Sequence, residues 1–245
     1  MKKIALPLFG LCLLHTTLSA QITDPKATEV WKPVPKSVQT GSPTEAPSDA
    51  IRLFDGSNLN NFISSKDSSA AAWTIQKDGS MTVAPGKGDI QTKQSFGDCQ
   101  LHLEFKAPEV VKGEGQGRGN SGVFLQNRYE VQILDCFQNT TYSNGQTASI
   151  YKQHIPLVNA CKKPGEWQTY DILYTAPRFN QDGIKIASAY ITVLHNGVVV
   201  QNHVEIKGTT EYIGLPQNQA HGKGPIKLQD HGDLVSFRNI WIREL

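Results

Sequence analysis

The chain has 245 residues, of which 24 are Lys or Arg and 22 are Asp or Glu, so its formal net charge is +2. Two of the basic residues, Lys2 and Lys3, belong to a predicted signal peptide, and without them basic and acidic residues are equal in number. This balance argues against nucleic acid or an anionic membrane surface as a partner.

The first 20 residues have the pattern of a secretory signal peptide. The two lysines are followed by an apolar stretch from Ile4 to Leu14, and Ser19-Ala20 supplies small residues before a cleavage site. Because the apolar stretch is too short to span a bilayer, we expect no transmembrane segment in the mature chain. The sequence therefore predicts a periplasmic or secreted protein.

The remainder divides by composition into an arm and a globular domain. Residues 21–49 carry five prolines among Thr, Ser and Lys, which predicts an extended arm without a core of its own. Residues 50–245 have a length that suits one all-β domain.

Short strand patterns recur along this domain, and long helical periodicity is absent. Residues 101–105 alternate apolar and polar side chains, as a half-buried strand does, and Asn196-Gly197 between two β-rich runs predicts a hairpin. The predicted strands are residues 51–54, 73–75, 81–83, 99–107, 122–126, 129–134, 168–175, 189–195, 198–206, 226–229 and 235–242. Many short strands separated by Gly and Pro predict a sandwich or a jelly roll.

Three cysteines, Cys99, Cys136 and Cys161, remain after removal of the signal peptide. Export favours disulfides, and three cysteines can form at most one internal bridge. We favour Cys136–Cys161, because both lie in the loop-rich region between two strong strands, whereas Cys99 opens a strand. Three free thiols remain the alternative.

A glycine-rich corner and a long loop supply candidate substrate-binding residues. Arg118 and Asn120 lie at the corner, and Arg is a good fixed donor for carboxylates or hydroxyl-rich ligands. The alternative is an arginine that ties down its own loop. The loop from Phe137 to Glu166 contains His154 and is long enough to be a binding loop over a rigid sheet.

The strand from Tyr129 to Asp135 offers the first candidate catalytic group. Its alternation places Glu130 and Gln132 on one face, and we assign Gln132 to substrate binding. Glu130 and Asp135 could form the carboxyl pair that glycoside chemistry commonly uses, but Asp135 has the opposite parity. A bulge near Ile133 would return Asp135 to the Glu130 face. Alternatively, Asp135 only caps the strand end.

The segment from Ile226 to Gly232 offers the second candidate catalytic group. Lys227, Gln229 and His231 share one face, and a histidine there can carry protons near neutral pH. We therefore predict His231 as catalytic, with Lys227 and Gln229 binding substrate. The alternative is a solvated histidine at the end of a surface strand.

Several motifs, taken together, resemble the 3-keto-disaccharide hydrolase domain family. They cover nearly the whole globular part in the family's order. The matching stretches are Leu53-Phe54-Asp55-Gly56, Arg118-Gly119-Asn120-Ser121-Gly122-Val123, Tyr129-Glu130-Val131-Gln132-Ile133-Leu134-Asp135, residues 164–171, residues 225–232 and residues 237–242.

The resemblance implies a concanavalin A-like jelly-roll sandwich of two curved antiparallel sheets, with ligand in the concave face. It also implies a glycoside hydrolase that acts on 3-keto-disaccharides or related 3-keto-glycosides. Related laminarinase-like hydrolases use a Glu-x-Asp-x-x-Glu strand. Here Gln132 replaces the middle acid and Asp135 the last one, which departs from ordinary double-displacement hydrolysis.

A ketone at carbon 3 suggests elimination and hydration instead, because it acidifies the hydrogen on carbon 2. We expect His231 or Glu130 as base, and Asp135 as leaving-group acid. Lys227, Arg118 or a bound divalent cation would stabilise the enolate. For such a cation, the resemblance makes Glu130, Asp135 and His231 the expected ligands. The rival reading is a non-catalytic carbohydrate-binding module on the same scaffold.

Overall fold

The computed structural model describes residues 22–42 and 45–245 and divides into two compact units, the second being Val38–Leu245. The predicted signal peptide lies outside the described residues. In the first unit, the Asp24 carboxylate accepts from the backbone N–H of Lys26 at 3.0 Å and caps the 3-10 helix Pro25–Thr28. Across the described residues, no helix has the length and apolarity needed to span a membrane.

The second unit is built almost entirely from short β-strands. Two 3-10 helices, Gly115–Gly117 and Ser143–Gly145, interrupt them. The strands are β1 (Ile51–Phe54), β2 (Phe62–Ser64), β3 (Thr74–Ile75), β4 (Met81–Thr82), β5 (Ile90–Thr92), β6 (Cys99–Lys106), β7 (Ser121–Leu125), β8 (Tyr129–Ile133), β9 (Gln168–Thr175), β10 (Arg178–Phe179), β11 (Lys185–Ala187), β12 (Ala189–His195), β13 (Val198–Ile206), β14 (Lys227–Leu228) and β15 (Ser236–Glu244).

Two antiparallel sheets form the body of this unit. The larger has eight strands in the order β13-β12-β9-β6-β15-β4-β3, with β1 paired to β15. The smaller has five strands in the order β2-β5-β14-β7-β8, and β10 and β11 form a separate ribbon. The predicted all-β jelly-roll class is therefore confirmed.

The core lies between the two sheets. Val123 and Val131 of the five-stranded sheet and Leu101 and Ile172 of the eight-stranded sheet are fully buried in one cluster. Because strand side chains alternate, their sequence neighbours in β7 and β8 point away from this core. That outer face of the five-stranded sheet carries Glu130 and Gln132, two of the polar residues predicted from sequence.

The predicted hairpin joins β12 to β13. Asn196 and Gly197 both have positive φ, 53° and 78°, between the paired residues His195 and Val198. Positive φ at both turn positions belongs to a type I′ turn, whose twist matches that of the strands. This hairpin extends the edge of the eight-stranded sheet.

Candidate active site

One row of side chains crosses the outer face of the five-stranded sheet. The register pairs Gln91 of β5 with Lys227 of β14, Lys227 with Phe124 of β7, and Phe124 with Glu130 of β8. Directly paired residues on neighbouring strands point to the same face, so these four side chains lie side by side. The row places a carboxyl group and an ammonium group on either side of an aromatic ring.

The neighbouring row completes a pocket. Gly122 pairs with Gln132, and the backbone N–H of Gln229 donates to the carbonyl of Gly122 at 3.1 Å. The resulting cavity of about 240 Å³, here named the Glu130 pocket, opens on the outer face of the sheet. Its lining consists of Asn120, Phe124, Glu130, Gln132, Tyr151, Thr210, Tyr212, Gln229 and His231.

Glu130 is buried at the base of this pocket, with 5% of its surface exposed. Burial raises the pKa of its carboxyl group to about 8; Lys227 lowers that pKa and Asp89 raises it. Lys227 lies 3.1 Å from Asp89 in an ion pair and 3.9 Å from the ring centre of Phe124. Glu130 is therefore protonated at neutral pH, which suits a group that donates a proton.

Gly122 makes room for that carboxyl group. A Cβ atom at this position would lie 2.6 Å from Oε1 of Glu130 and 3.1 Å from the Phe124 ring. The close approach is the reason for a glycine here. Backbone conformation is not, because the φ of Gly122 lies outside the left-handed region. Gly122, which pairs with Gln132, therefore leaves free the space that the Glu130 carboxyl group occupies.

His231 reaches the same pocket from the turn after β14. Asp230 holds this turn: its carboxylate accepts from the backbone N–H groups of Gly88 and Gly232 at 2.9 and 3.0 Å. His231 itself is exposed to solvent. The structure therefore brings together the two strongest candidates predicted from sequence, Glu130 and His231.

Three predicted substrate-binding residues, Asn120, Gln132 and Gln229, also line the pocket. Asn120 is anchored by its side chain, which donates to the carbonyl of Gln116 at 2.6 Å. Lys227 stands in the adjacent position of the sheet and acts on Glu130 through its charge.

Aromatic residues that sequence reasoning did not assign to the site close the pocket. Tyr151 bonds to Tyr142 through their hydroxyl groups at 2.5 Å, and burial together with that bond raises the pKa of Tyr151. The backbone carbonyl of Tyr212 accepts from Lys152, whose ammonium group also lies 4.3 Å from the Tyr212 ring centre. For Tyr151, its position in the predicted binding loop was the one indication that the sequence offered. Thr210 and Tyr212 lie in a segment without periodicity, so no sequence pattern pointed to them.

Asp135 is not part of the Glu130 pocket, contrary to the expected bulge. The β7–β8 register runs without a shift from Leu125–Tyr129 to Ser121–Ile133. Asp135 lies beyond the end of β8 at Ile133, and it lines a separate cleft of about 670 Å³ together with Arg118. Its predicted role as the acid partner of Glu130 has no geometric basis.

Arg118 and His154 also lie away from the Glu130 pocket. Arg118 donates to the Asp135 carboxylate at 2.7 Å and to the carbonyl of Phe137 at 2.9 Å, which fits the alternative that it ties down its own loop. Nε2 of His154 lies 2.6 Å from the backbone carbonyl of Glu205. Both side chains are used for structure rather than presented to this pocket.

The expected metal-ligand set is not assembled. Glu130 and His231 share a pocket, but Asp135 is in the other cleft. Within residues 22–42 and 45–245, no three or more His, Cys, Asp or Glu side chains are grouped so as to hold a metal ion. We therefore derive no chemistry through a metal at these three residues.

The cysteines are paired as the sequence favoured. Cys136 and Cys161 form a disulfide, and Cys99 is a buried thiol. The bridge joins the residue after Asp135 to the far end of the loop that carries Tyr142 and Tyr151. It therefore limits the excursions of the loop that closes the Glu130 pocket.

Comparisons with known proteins agree with this fold. A solved structure from Parabacteroides distasonis, provisionally described as a glycosyl hydrolase, is 55% identical with a TM-score of 0.87, covering 91% of this chain and 97% of its own. A second from the same organism, described likewise, is 28% identical with a TM-score of 0.55, covering 80% of this chain and 99% of its own.

A curated relative and a family profile identify the group. The "3-keto-disaccharide hydrolase" of Bacteroides thetaiotaomicron is 27% identical over an alignment of 249 positions, gaps included, that covers 80% of this chain and 78% of the relative. The profile of the 3-keto-alpha-glucoside-1,2-lyase-like domain matches residues 49–243, which include every residue of the Glu130 pocket. The chain therefore belongs to the 3-keto-alpha-glucoside-1,2-lyase-like domain family.

Proposed function

We propose that the Glu130 pocket cleaves 3-keto-glycosides, such as 3-keto-disaccharides, by elimination followed by hydration. The observation that carries the proposal is a buried carboxyl group, with its pKa raised to about 8, that shares a pocket with His231. The cavity is of a size for one sugar ring. Family membership and the name of the curated relative support the same substrate class.

In the first step, His231 removes the proton on carbon 2 of the oxidised sugar. The electrons of that C–H bond form an enolate with the carbonyl at carbon 3. Lys227, whose charge already acts on Glu130, offsets part of the negative charge that develops on the enolate oxygen. The ketone is essential to this step, because an unoxidised sugar has no carbonyl to accept the electrons.

In the second step, the enolate restores the carbonyl and expels the group at carbon 1. A double bond forms between carbons 1 and 2, the C1–O bond breaks, and the departing oxygen takes the proton of Glu130. Water then adds by the reverse route. Its oxygen bonds to carbon 1 while Glu130 recovers a proton from it. His231, which is exposed to solvent and exchanges the proton it took for one from water, protonates carbon 2.

A carbohydrate-binding module is the second candidate. Phe124, Tyr151 and Tyr212 give the pocket aromatic walls of the kind on which sugar rings stack, and Tyr212 is 71% exposed. Such a module would bind the sugar and release it unchanged.

Turnover in heavy water separates these readings. The protein is incubated with a 3-keto-disaccharide and, separately, with its unoxidised parent. We expect monosaccharide release only from the oxidised substrate, with deuterium at carbon 2 of the product, detected by NMR. Incubation of the 3-keto product without protein measures spontaneous exchange. Equal release from both substrates would refute the keto-dependent route, and release from neither would support the binding module.

We also propose that the protein acts outside the cytoplasm. Residues 1–20 have the composition of a signal peptide, and the Cys136–Cys161 disulfide suits an oxidising compartment. Cell fractionation tests this: we expect the mature chain in the periplasmic or extracellular fraction, and retention in the cytoplasm would contradict it.

A further inference from the structure

Two amide oxygens in the Glu130 pocket are buried without a hydrogen-bond partner. They are the Oε1 atoms of Gln132 and Gln229, and Gln132 is only 1% exposed. Buried polar atoms in folded proteins are nearly always paired, so an unpaired acceptor in a pocket points to a ligand donor. A 180° rotation of a side-chain amide would exchange its oxygen with its NH₂ group, so the neighbours of the glutamine decide which group is left unpaired.

A relay of amides fixes the orientation of Gln132. Nε2 of Gln116 donates to the backbone carbonyl of Gly145 and to the hydroxyl of Thr141, both at 2.9 Å. Since a carbonyl can only accept, that end of Gln116 must be its NH₂ group. Oε1 of Gln116 therefore faces Gln132 and accepts from Nε2 of Gln132 at 3.0 Å. This leaves Oε1 of Gln132 without a donor, on a side chain that lines the Glu130 pocket.

The backbone of Gln132 is held equally firmly. Its carbonyl accepts from the hydroxyl of Tyr170 at 2.6 Å and from the N–H of Ala148 at 2.9 Å. Rotating the Gln132 amide by 180° would place its oxygen opposite Oε1 of Gln116, so that two acceptors would face each other without a proton between them. The pocket thus presents a fixed hydrogen-bond acceptor, which requires a donor on the ligand.

We propose that Gln132 reads one hydroxyl group of the sugar through its Oε1 atom, with Gln116 as the positioning residue that sets the polarity of Gln132, and that the side-chain amide of Gln229 contacts a second hydroxyl group. The proposal rests on the proposed function for its substrate. A ketone oxygen has no proton to donate, so the Gln132 oxygen does not take the carbonyl at carbon 3. Both glutamines select 3-keto-glycosides whose remaining ring hydroxyls are free rather than absent, methylated or acylated.

Substrates that lack single hydroxyl groups test this directly. The value of kcat/KM is measured for a 3-keto-glycoside and for its 2-deoxy, 4-deoxy and 6-deoxy forms. We expect the wild-type protein to disfavour two of the deoxy forms by about 10- to 1000-fold. Gln132→Met should lower activity on the parent yet remove discrimination at one of these positions, and Gln229→Met at the other. An equal loss on every substrate would overturn the proposal.

The positioning role of Gln116 has its own readout. Gln116→Met frees the Gln132 amide to rotate, so discrimination should weaken at the position governed by Gln132 and at no other. Gln91 supplies the matched control, because its Oε1 is also unpaired on this sheet face but lies outside the pocket lining. Gln91→Met should keep the wild-type pattern of discrimination among the deoxy substrates. If Gln116→Met lowered kcat/KM equally for all substrates and left that pattern unchanged, the positioning role would be refuted.

Binding measurements keep this inference separable from the proposed function. Dissociation constants of the parent and deoxy forms are measured by calorimetry with Glu130→Gln protein, with and without Gln132→Met. Hydroxyl discrimination that Gln132→Met removes would sustain the inference, and it would do so even if the wild-type protein showed no turnover, which is the result that would defeat the proposed enzyme. Turnover without any hydroxyl discrimination would do the reverse.

Discussion

At the scale of single residues, the decisive property of the site is the protonation of Glu130. Glutamate normally loses its proton near pH 4, but burial at the bottom of the pocket raises the pKa of Glu130 to about 8. The carboxyl group can therefore protonate a leaving group at neutral pH. The sequence singled out Glu130 as a candidate but left open whether it is acid or base, because burial is a property of the fold.

Replacing Glu130 by Gln keeps the shape of the side chain and removes its acidic proton. We expect kcat on a 3-keto-disaccharide to fall by about 10²- to 10⁴-fold, the usual contribution of a general acid, while the dissociation constant changes little. Steady-state kinetics and calorimetry measure the two quantities. Glu244→Gln, which alters a surface ion pair with Lys223, is the matched control and should leave both unchanged.

The charges beside Glu130 predict opposite pH shifts. The value of kcat/KM should fall as the pH rises through about 8, because the free protein then loses the Glu130 proton. Lys227 lowers this pKa and Asp89 raises it. Lys227→Met should therefore move the alkaline limb of the pH profile to higher pH, and Asp89→Asn should move it to lower pH. Shifts of the same sign in both variants would show that another group controls the limb.

At the scale of elements, the β7–β8 pair determines which side chains meet. Its unbroken register over Tyr129–Ile133 puts Glu130 and Gln132 on the outer face, whereas Asp135, beyond the end of β8, lines the other cleft. Strand alternation could be read from the sequence, and it placed Glu130 and Gln132 correctly. A bulge could not be read, because it depends on how two strands pair rather than on the pattern of one.

The close contact between these strands makes Gly122 a sensitive position. Gly122→Ala introduces a Cβ atom 2.6 Å from Oε1 of Glu130, so the carboxyl group must move. We expect kcat to fall by about tenfold or more, since misplacement by a fraction of an ångström already costs catalysis. Gly222→Ala is the control, because a Cβ atom there meets nothing within 4 Å. Wild-type kcat in Gly122→Ala would show that the carboxyl position is not critical.

At the scale of the whole molecule, the burial of Glu130 links folding to pH. A folded-state pKa raised above the unfolded value gives stability that is present at low pH and is lost as pH rises through the folded pKa. Between pH 4.5 and about 8 the free energy of unfolding should fall by roughly 1.4 kcal/mol per pH unit through this one group.

Glu130→Gln should remove this dependence. We expect the variant to be less sensitive to rising pH than the wild-type protein, with the difference in melting temperature growing in its favour between pH 5 and pH 8. Thermal unfolding followed by circular dichroism measures it. Parallel curves for the two proteins over this range would mean that the Glu130 pKa is not raised in the folded state.

The sequence by itself determined most of the strands and several residues of the Glu130 pocket. Period-two alternation and the Asn196-Gly197 turn are local signals, so β1, β9, β12 and β13 begin and end where the sequence predicted. Strands of two or three residues, such as β2, β5, β10 and β11, carry too little pattern to be recognised.

Only the tertiary structure decided which groups share a pocket. It brought Tyr212 and Thr210 to Glu130 from a segment without periodicity, and it assigned Asp135 to a different cleft. It also set the polarity of Gln132 through Gln116, sixteen positions away. Each of these results depends on contacts between distant parts of the chain, and strand alternation carries information only about neighbours along the chain.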